Sequence, residues 1–376
     1  MDDVVIQRVD HLLIIGHALR RFGLRELIDA RCPRDPRSLV STGECIEAIV
    51  AAILLGGHTL YRVHDRLAQY DLRVAFGWEG LAEQFHDNRI GKALDQTFQA
   101  GVSPLYAAAI LRAVKVHELD LTRLHLDTTS VRLFGEYEGS VAPEDPESLQ
   151  AIPKVERGYS KDHRPDLKQV IFGISVAADG ATPMFGRFAS GSRNDSLESR
   201  FILEQLARVL PEPRGTLLVG DSKLFSGESL LAARTHGFEI LTLMPRSVGL
   251  WDEALAAYDE QLSRGEAPPT LKAVYSELGG SDPASLKPEK LWTGASFTLT
   301  YTWEDDERQK HDFPLRLLVV ESSQLREQKT PAVRAECDKA RGKLEKAVAK
   351  LTKEEFNCAA DAQSAAAGND NPYLEP

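Results

Sequence analysis

Apolar residues recur at helical spacing over residues 11–30 until Cys32-Pro33 and Asp35-Pro36 interrupt them, which predicts a helix ending there. Ser41 followed by Glu44 has the form of a capping box for a second helix that runs to Leu55, where Gly56-Gly57 stops it. Helical spacing returns over 87–99 and 104–118, the latter with Ser103 as cap and Pro104 in the first turn. Residues 1–119 are therefore expected to form an all-helical N-terminal domain. Its Arg62, Arg66, Arg73, Arg89 and Lys92 read more readily as solvated faces than as a binding surface.

The period changes at Arg123. Leu124-His125-Leu126-Asp127 opens a strand that Val131 to Phe134 prolongs, and 136–166 is an acidic, then basic, loop rich in Pro and Gly. Strands are expected at 169–177 and 183–189, then a helix to Val209 capped by Asn194-Asp195 and Ser196. The run 216–221 is short and apolar, as in a buried parallel strand. A helix at 227–236 and a strand at 238–244 follow. Three strands, a helix, a strand, a helix and a strand is the order of a ribonuclease H-like mixed sheet, so the expected class is α/β with this core at 120–250. Beyond it, 296–303 alternates and 315–321 answers it across an acidic turn, giving a β-containing insertion over 251–330. A charged helix over 332–356 and a frayed tail complete 331–376.

Composition narrows the class without naming it. The chain has 376 residues, 43% hydrophobic and 27% charged, as in an ordinary globular protein. Its longest apolar run, 46–55, is too short to span a bilayer and is interrupted by Glu47. The N-terminus opens acidic with no apolar signal region, so a cytoplasmic protein with no membrane contact is expected. The four cysteines lack metal-site spacing. Net charge is −11, of which residues 251–376 hold −7. That disfavours a general nucleic-acid coat protein and says little about a nuclease, whose carboxylates need metal before phosphate approaches.

Two aspartates stand at strand ends. Asp127 closes LHLD and Asp221 closes TLLVGD, 94 residues later. If the first and fourth strands are neighbours, both carboxylates project from one sheet edge, where hard oxygen ligands hold the divalent ions that phosphodiester chemistry uses. A strand-terminating turn is the commoner role of a single such Asp; two at matched positions bring the readings level. By strand alternation His125 points to the opposite face from Asp127's neighbours, and it is expected to be a core or supporting histidine.

The ordered segments LHLDTTSV, YSKDHRPDLKQV, GSRNDS and LLVGDSKLFS, with LYRVHDRLAQYD and FHDNRIGKALDQTFQAG upstream, resemble bacterial insertion-sequence transposases of the DDE class. The group in question has a ribonuclease H-like core interrupted by a β-rich insertion. The resemblance spans roughly residues 5–350. It implies a DNA transposase that cleaves phosphodiesters and transfers strands with Mg²⁺ or Mn²⁺. Asp127 and Asp221 would be two of three catalytic metal ligands, DNA ends and target the partners, and a homo-oligomer the working form. It also favours phosphate contact by Lys161, His163, Arg164 and Lys168, although a solvated turn with Arg164 paired to Asp162 or Asp166 fits the residues too. The family's third acid, a Glu within a Tyr, Arg and Glu motif, has no match here. Glu336, Glu354 and Glu355 lie in different surroundings, so an incomplete triad is expected. The alternatives are a non-catalytic remnant that binds DNA or oligomerises as an inhibitor, and an unrelated two-metal nuclease.

Overall fold

The computed structural model describes residues 7–56, 59–159, 164–210, 212–264 and 292–353, with positions 358, 359, 361 and 363. The chain divides into two compact units, one of Met1–Pro245 with Trp303–His311 and one of Arg246–Thr302 with Asp312–Pro376.

Among its described residues the first unit begins with the α-helices α1 (Leu12–Phe22), α2 (Leu24–Asp29), α3 (Thr42–Leu54), α4 (Val63–Leu67), α5 (Leu72–Phe76), α6 (Asp87–Gln99) and α7 (Val102–His117). The single helix expected over 11–30 is broken at Gly23, whose φ of 69° is left-handed, so the chain turns there between α1 and α2. The capping box of α3 forms as expected, with the Glu44 backbone N–H donating to Ser41 Oγ and the Ser41 N–H to Glu44 Oε2. Ser103 does not cap α7. Gly101 holds that position, and the Ser103 hydroxyl instead donates to the carbonyl of Leu149. These helices close around Leu12, Leu67, Phe76, Trp78, Phe85 and Ile90. Trp78 stacks on Phe76 at 4.2 Å between ring centroids.

Glu47 sits inside this core beside the Trp78 indole, whose Nε1–H donates to Glu47 Oε2 at 3.1 Å. Burial pushes the Glu47 carboxyl up, and the indole bond offsets it in part.

The sheet follows in the order β3-β2-β1-β4-β5. Its strands are β1 (Arg123–Leu133), β2 (Lys168–Ala177), β3 (Pro183–Ser190), β4 (Leu217–Gly220) and β5 (Glu239–Leu241). β1, β2 and β3 form an antiparallel meander, while β4 and β5 run parallel to β1. This is the ribonuclease H-like mixed sheet expected from the element order. Helices α8 (Asp195–Val209) and α9 (Gly227–His236) supply the crossovers. With Ile110 of α7, they bury Leu124, Leu126 and Leu218 against Phe201, Ile202, Leu206 and Ala233. Asn194, rather than Ser196, caps α8 through its side chain. The last strand is shorter than expected, because beyond Leu241 the chain finds no further partner strand among the described residues.

The second unit contains α10 (Leu250–Ser263), most of the two-stranded sheet of β6 (Trp292–Glu304) and β7 (Lys310–Ser322), and α11 (Ser323–Leu351). β6 and β7 thus form a sheet separate from the five-stranded one. The charged helix begins nine residues before the expected Ala332 and runs through Pro331.

Candidate active site

Burial alternates along β1: Leu124, Leu126, Thr128 and Ser130 face the helices, and Arg123, His125, Asp127 and Thr129 are exposed on the other side. Asp127 is therefore held by a strand whose opposite face is fixed in a core. Parallel pairing sets Leu124 beside Leu218, His125 beside Val219 and Leu126 beside Gly220. The next position of the same register holds Asp127 on one strand and Asp221 on the other. Adjacent strands lie about 5 Å apart, so the two carboxylates start from neighbouring backbone positions at one edge. The structure brings together the pair that the sequence analysis had separated by 94 residues.

Each carboxylate is anchored through one oxygen. Asp127 Oδ1 accepts the backbone N–H of Thr128 at 2.7 Å, and Asp221 Oδ1 accepts that of Lys223 at 2.9 Å. The Asp221 carbonyl accepts the Thr242 hydroxyl, which ties the end of β4 to the chain beyond β5. In each aspartate Oδ2 has no hydrogen-bond partner among the described residues. Two fixed carboxylates with one free oxygen apiece suit a hard divalent cation, which takes oxygen ligands. Among the described residues, however, no group of three His, Cys, Asp or Glu is placed to hold a metal.

His125 corrects an expectation. It stands two residues before Asp127, so strand alternation puts it on the acid side, where it is exposed. The spacing alone was sufficient to show this.

The basic segment divides. Lys161 and His163 lie outside the described residues. Arg164 holds Asp166 through two bonds, Nε to Oδ1 at 2.8 Å and Nη2 to Oδ2 at 2.6 Å. That partner draws the Asp166 carboxyl down to about 2. Lys168 donates to the carbonyl of Glu136. It pairs with Leu133, on the same face as Asp127 and six strand positions along, or roughly 20 Å.

Sequence reasoning missed the buried charges on the covered side. Glu198, fully buried at the start of α8, accepts Arg187 Nε at 2.6 Å and Nη2 at 2.7 Å. Arg193 lies 3.4 Å from the same carboxylate and also reaches Glu147. The Arg187 guanidinium stacks 3.4 Å above the Phe201 ring. The cluster joins β3, α8 and the 136–166 loop. A strand arginine facing a helix-start glutamate carries no sequence mark of that partnership.

No helix among the described residues is long and apolar enough to cross a membrane. A family model described as a domain of unknown function (DUF4277) matches residues 4–111, and no curated protein matches the chain. Solved structures similar to the chain include a Mos1 transposase paired-end complex with the left transposon end, at 11% identity over 65% of this chain and 72% of that one, with a TM-score of 0.22. Another is a piggyBac transposase synaptic complex with hairpin DNA, at 9% identity over 83% of this chain, with a TM-score of 0.29. This chain covers 53%, about half, of the piggyBac chain. Likenesses of this degree do not bear on the site, which stands on the residues described above.

Proposed function

We propose that this chain is a DNA transposase of the DDE class, in which Asp127 and Asp221 are two of the metal-binding acids. The observation that carries this reading is the β1–β4 register, which sets the two acids side by side at the end of a ribonuclease H-like sheet. The transposase resemblance of the linked sequence motifs adds the substrate, DNA ends and target. Asp127 and Asp221 would hold Mg²⁺ or Mn²⁺ through their free Oδ2 atoms, while the Thr128 and Lys223 N–H groups keep the carboxylates oriented. A cation bound there neutralises charge on the scissile phosphate and favours an oxygen nucleophile. Asp127 is exposed on its side of the sheet, and Lys168, on the same face, would meet a phosphate there. Lys161, His163 and Arg164 belong to the same proposed contact, Arg164 after release from Asp166.

A two-carboxylate site leaves metal charge uncompensated and the nucleophile loosely placed, and misplacement by about 1 Å costs on the order of 10²-fold in rate. The absence of a third ligand among the described residues favours a chain that binds metal and DNA but joins ends poorly. A binding or inhibitory role is the corresponding second reading. Titrating the chain with Mn²⁺ and following the free ion by electron paramagnetic resonance tests the site directly. Binding should weaken at least about tenfold in both Asp127→Ala and Asp221→Ala. Unchanged Mn²⁺ binding in either variant removes the proposed site. Metal-dependent nicking of labelled end DNA that disappears in Asp221→Ala would keep the site and overturn the incomplete triad.

A further inference from the structure

Where α6, α7 and α8 meet the outer strand β3, the first unit holds a cavity of about 600 Å³, bordered on its remaining side by residues 148–151. Its walls are apolar and rich in rings, with Phe98, Tyr106, Phe185 and Phe188 all lining it. Phe98 and Phe188 remain 53% and 48% exposed. Packing alone would close over such rings, because protein interiors leave few voids larger than a water molecule. Two polar groups in the cavity lack partners. Gln205 of α8 is 5% exposed, and its side-chain amide makes no hydrogen bond among the described residues. The Tyr106 hydroxyl makes none either, and burial pushes it above its ordinary value of 10. An unpaired buried amide costs free energy that an apolar side chain of similar size would not, so its retention here points to a ligand.

We propose that this cavity binds a neutral purine of the adenine type, stacked on its rings and read by the Gln205 amide. A volume of this size falls within the range of small-molecule sites, about 300–1,000 Å³. Aromatic side chains attract the face of a heteroaromatic ring. A glutamine amide sets one donor beside one acceptor, which matches the N7 acceptor and N6 donor of adenine. Charge selects a neutral ligand. Among the described lining residues Arg187 alone is charged, and Glu198 already holds it through two bonds. The Tyr106 hydroxyl is left for a second polar edge of the ligand. The cavity is distinct from the Asp127–Asp221 pair, and its occupation does not depend on metal there.

Calorimetric titration of the full chain with adenosine tests the site. Adenosine should bind, and 7-deazaadenosine, which has a C–H in place of N7, should bind at least about tenfold more weakly. Gln205→Leu should bring adenosine down to the level of the deaza compound and remove the difference between them. The same variant should raise the Tm of the ligand-free chain, because an unpaired buried amide is gone. Ala107→Trp, which fills the cavity from α7, should abolish binding, with a circular dichroism melt to show that it folds. A short strand of deoxyadenosines separates the two sources of such a base. Tighter binding of the strand than of adenosine marks an unpaired base of DNA, and equal or weaker binding marks a free nucleoside. Failure of both adenosine and the strand to bind overturns the site. Equal binding of adenosine and 7-deazaadenosine, or a preference between them that survives in Gln205→Leu, overturns the role of Gln205 and with it the purine assignment.

Discussion

The two sides of β1 are built to opposite ends. On one side Leu124 and Leu126 are 0% and 3% exposed beneath α8 and α9. On the other, His125 and Asp127 stand open beside Val176, Ile174 and Val219. Both sides include charge, yet they treat it differently. On the covered side Glu198 is wholly enclosed, and Arg187 and Arg193 answer its charge. On the open side Asp127 and Asp221 each keep an oxygen without a partner among the described residues. Enclosed ions are retained because each compensates the other, and open ones because a ligand can still reach them. A strand between the two surfaces lends the rigidity of the first to the geometry of the second.

The contrast breaks most visibly at Glu198. Glu198→Ala leaves the Arg187 guanidinium without its acid, while Arg193 keeps Glu147, and loss of one partner of such a pair costs about 3–5 kcal/mol. Urea unfolding should show that loss. Replacing Arg187 and Glu198 together by Met and Leu should cost clearly less. Equal costs for single and double replacement would mean that the cluster acts by volume alone.

Neighbouring residues on β1 sharpen the contrast. Leu126→Ala should lower stability by about 2–5 kcal/mol and leave Mn²⁺ binding in the folded fraction unchanged. Asp127→Ala should change stability by no more than about 0.5 kcal/mol. A large destabilisation by Asp127→Ala would make that aspartate a structural turn residue rather than a ligand.

A further effect is expected in the helical region, where Glu47 shows what burial does to an acid lacking a full counter-charge. Its carboxyl titrates above its ordinary value of 4.5 because burial disfavours the charged form. The folded state therefore prefers the protonated acid. Its stabilisation is complete below about pH 4.5 and lost as pH rises through the raised value. Glu47→Gln keeps an oxygen for the Trp78 indole, and it should raise Tm at pH 7 by a few degrees, with the gain shrinking as pH falls towards 4.5. A constant difference across that range would exclude the titration as its cause.

The sequence by itself determined the elements and the positions of the acids. Capping chemistry at Ser41 and Glu44, alternation along 124–133 and the apolar run before Asp221 are local signals, set by side-chain period and by the backbone groups a helix end leaves unpaired. Alternation also contained the side of His125, since residues two apart on a strand share a face. Other features were decided only by the tertiary structure. β1 adjoins β4 because Leu124, Leu126 and Leu218 are buried under the same helices, an arrangement no local spacing encodes. Likewise Glu198 meets Arg187 across a strand and a helix. The pairing of Arg164 with Asp166 is of the same kind. The β1–β4 pairing closes a loop of about ninety residues, and such a contact is worth its entropy only when the whole core forms with it.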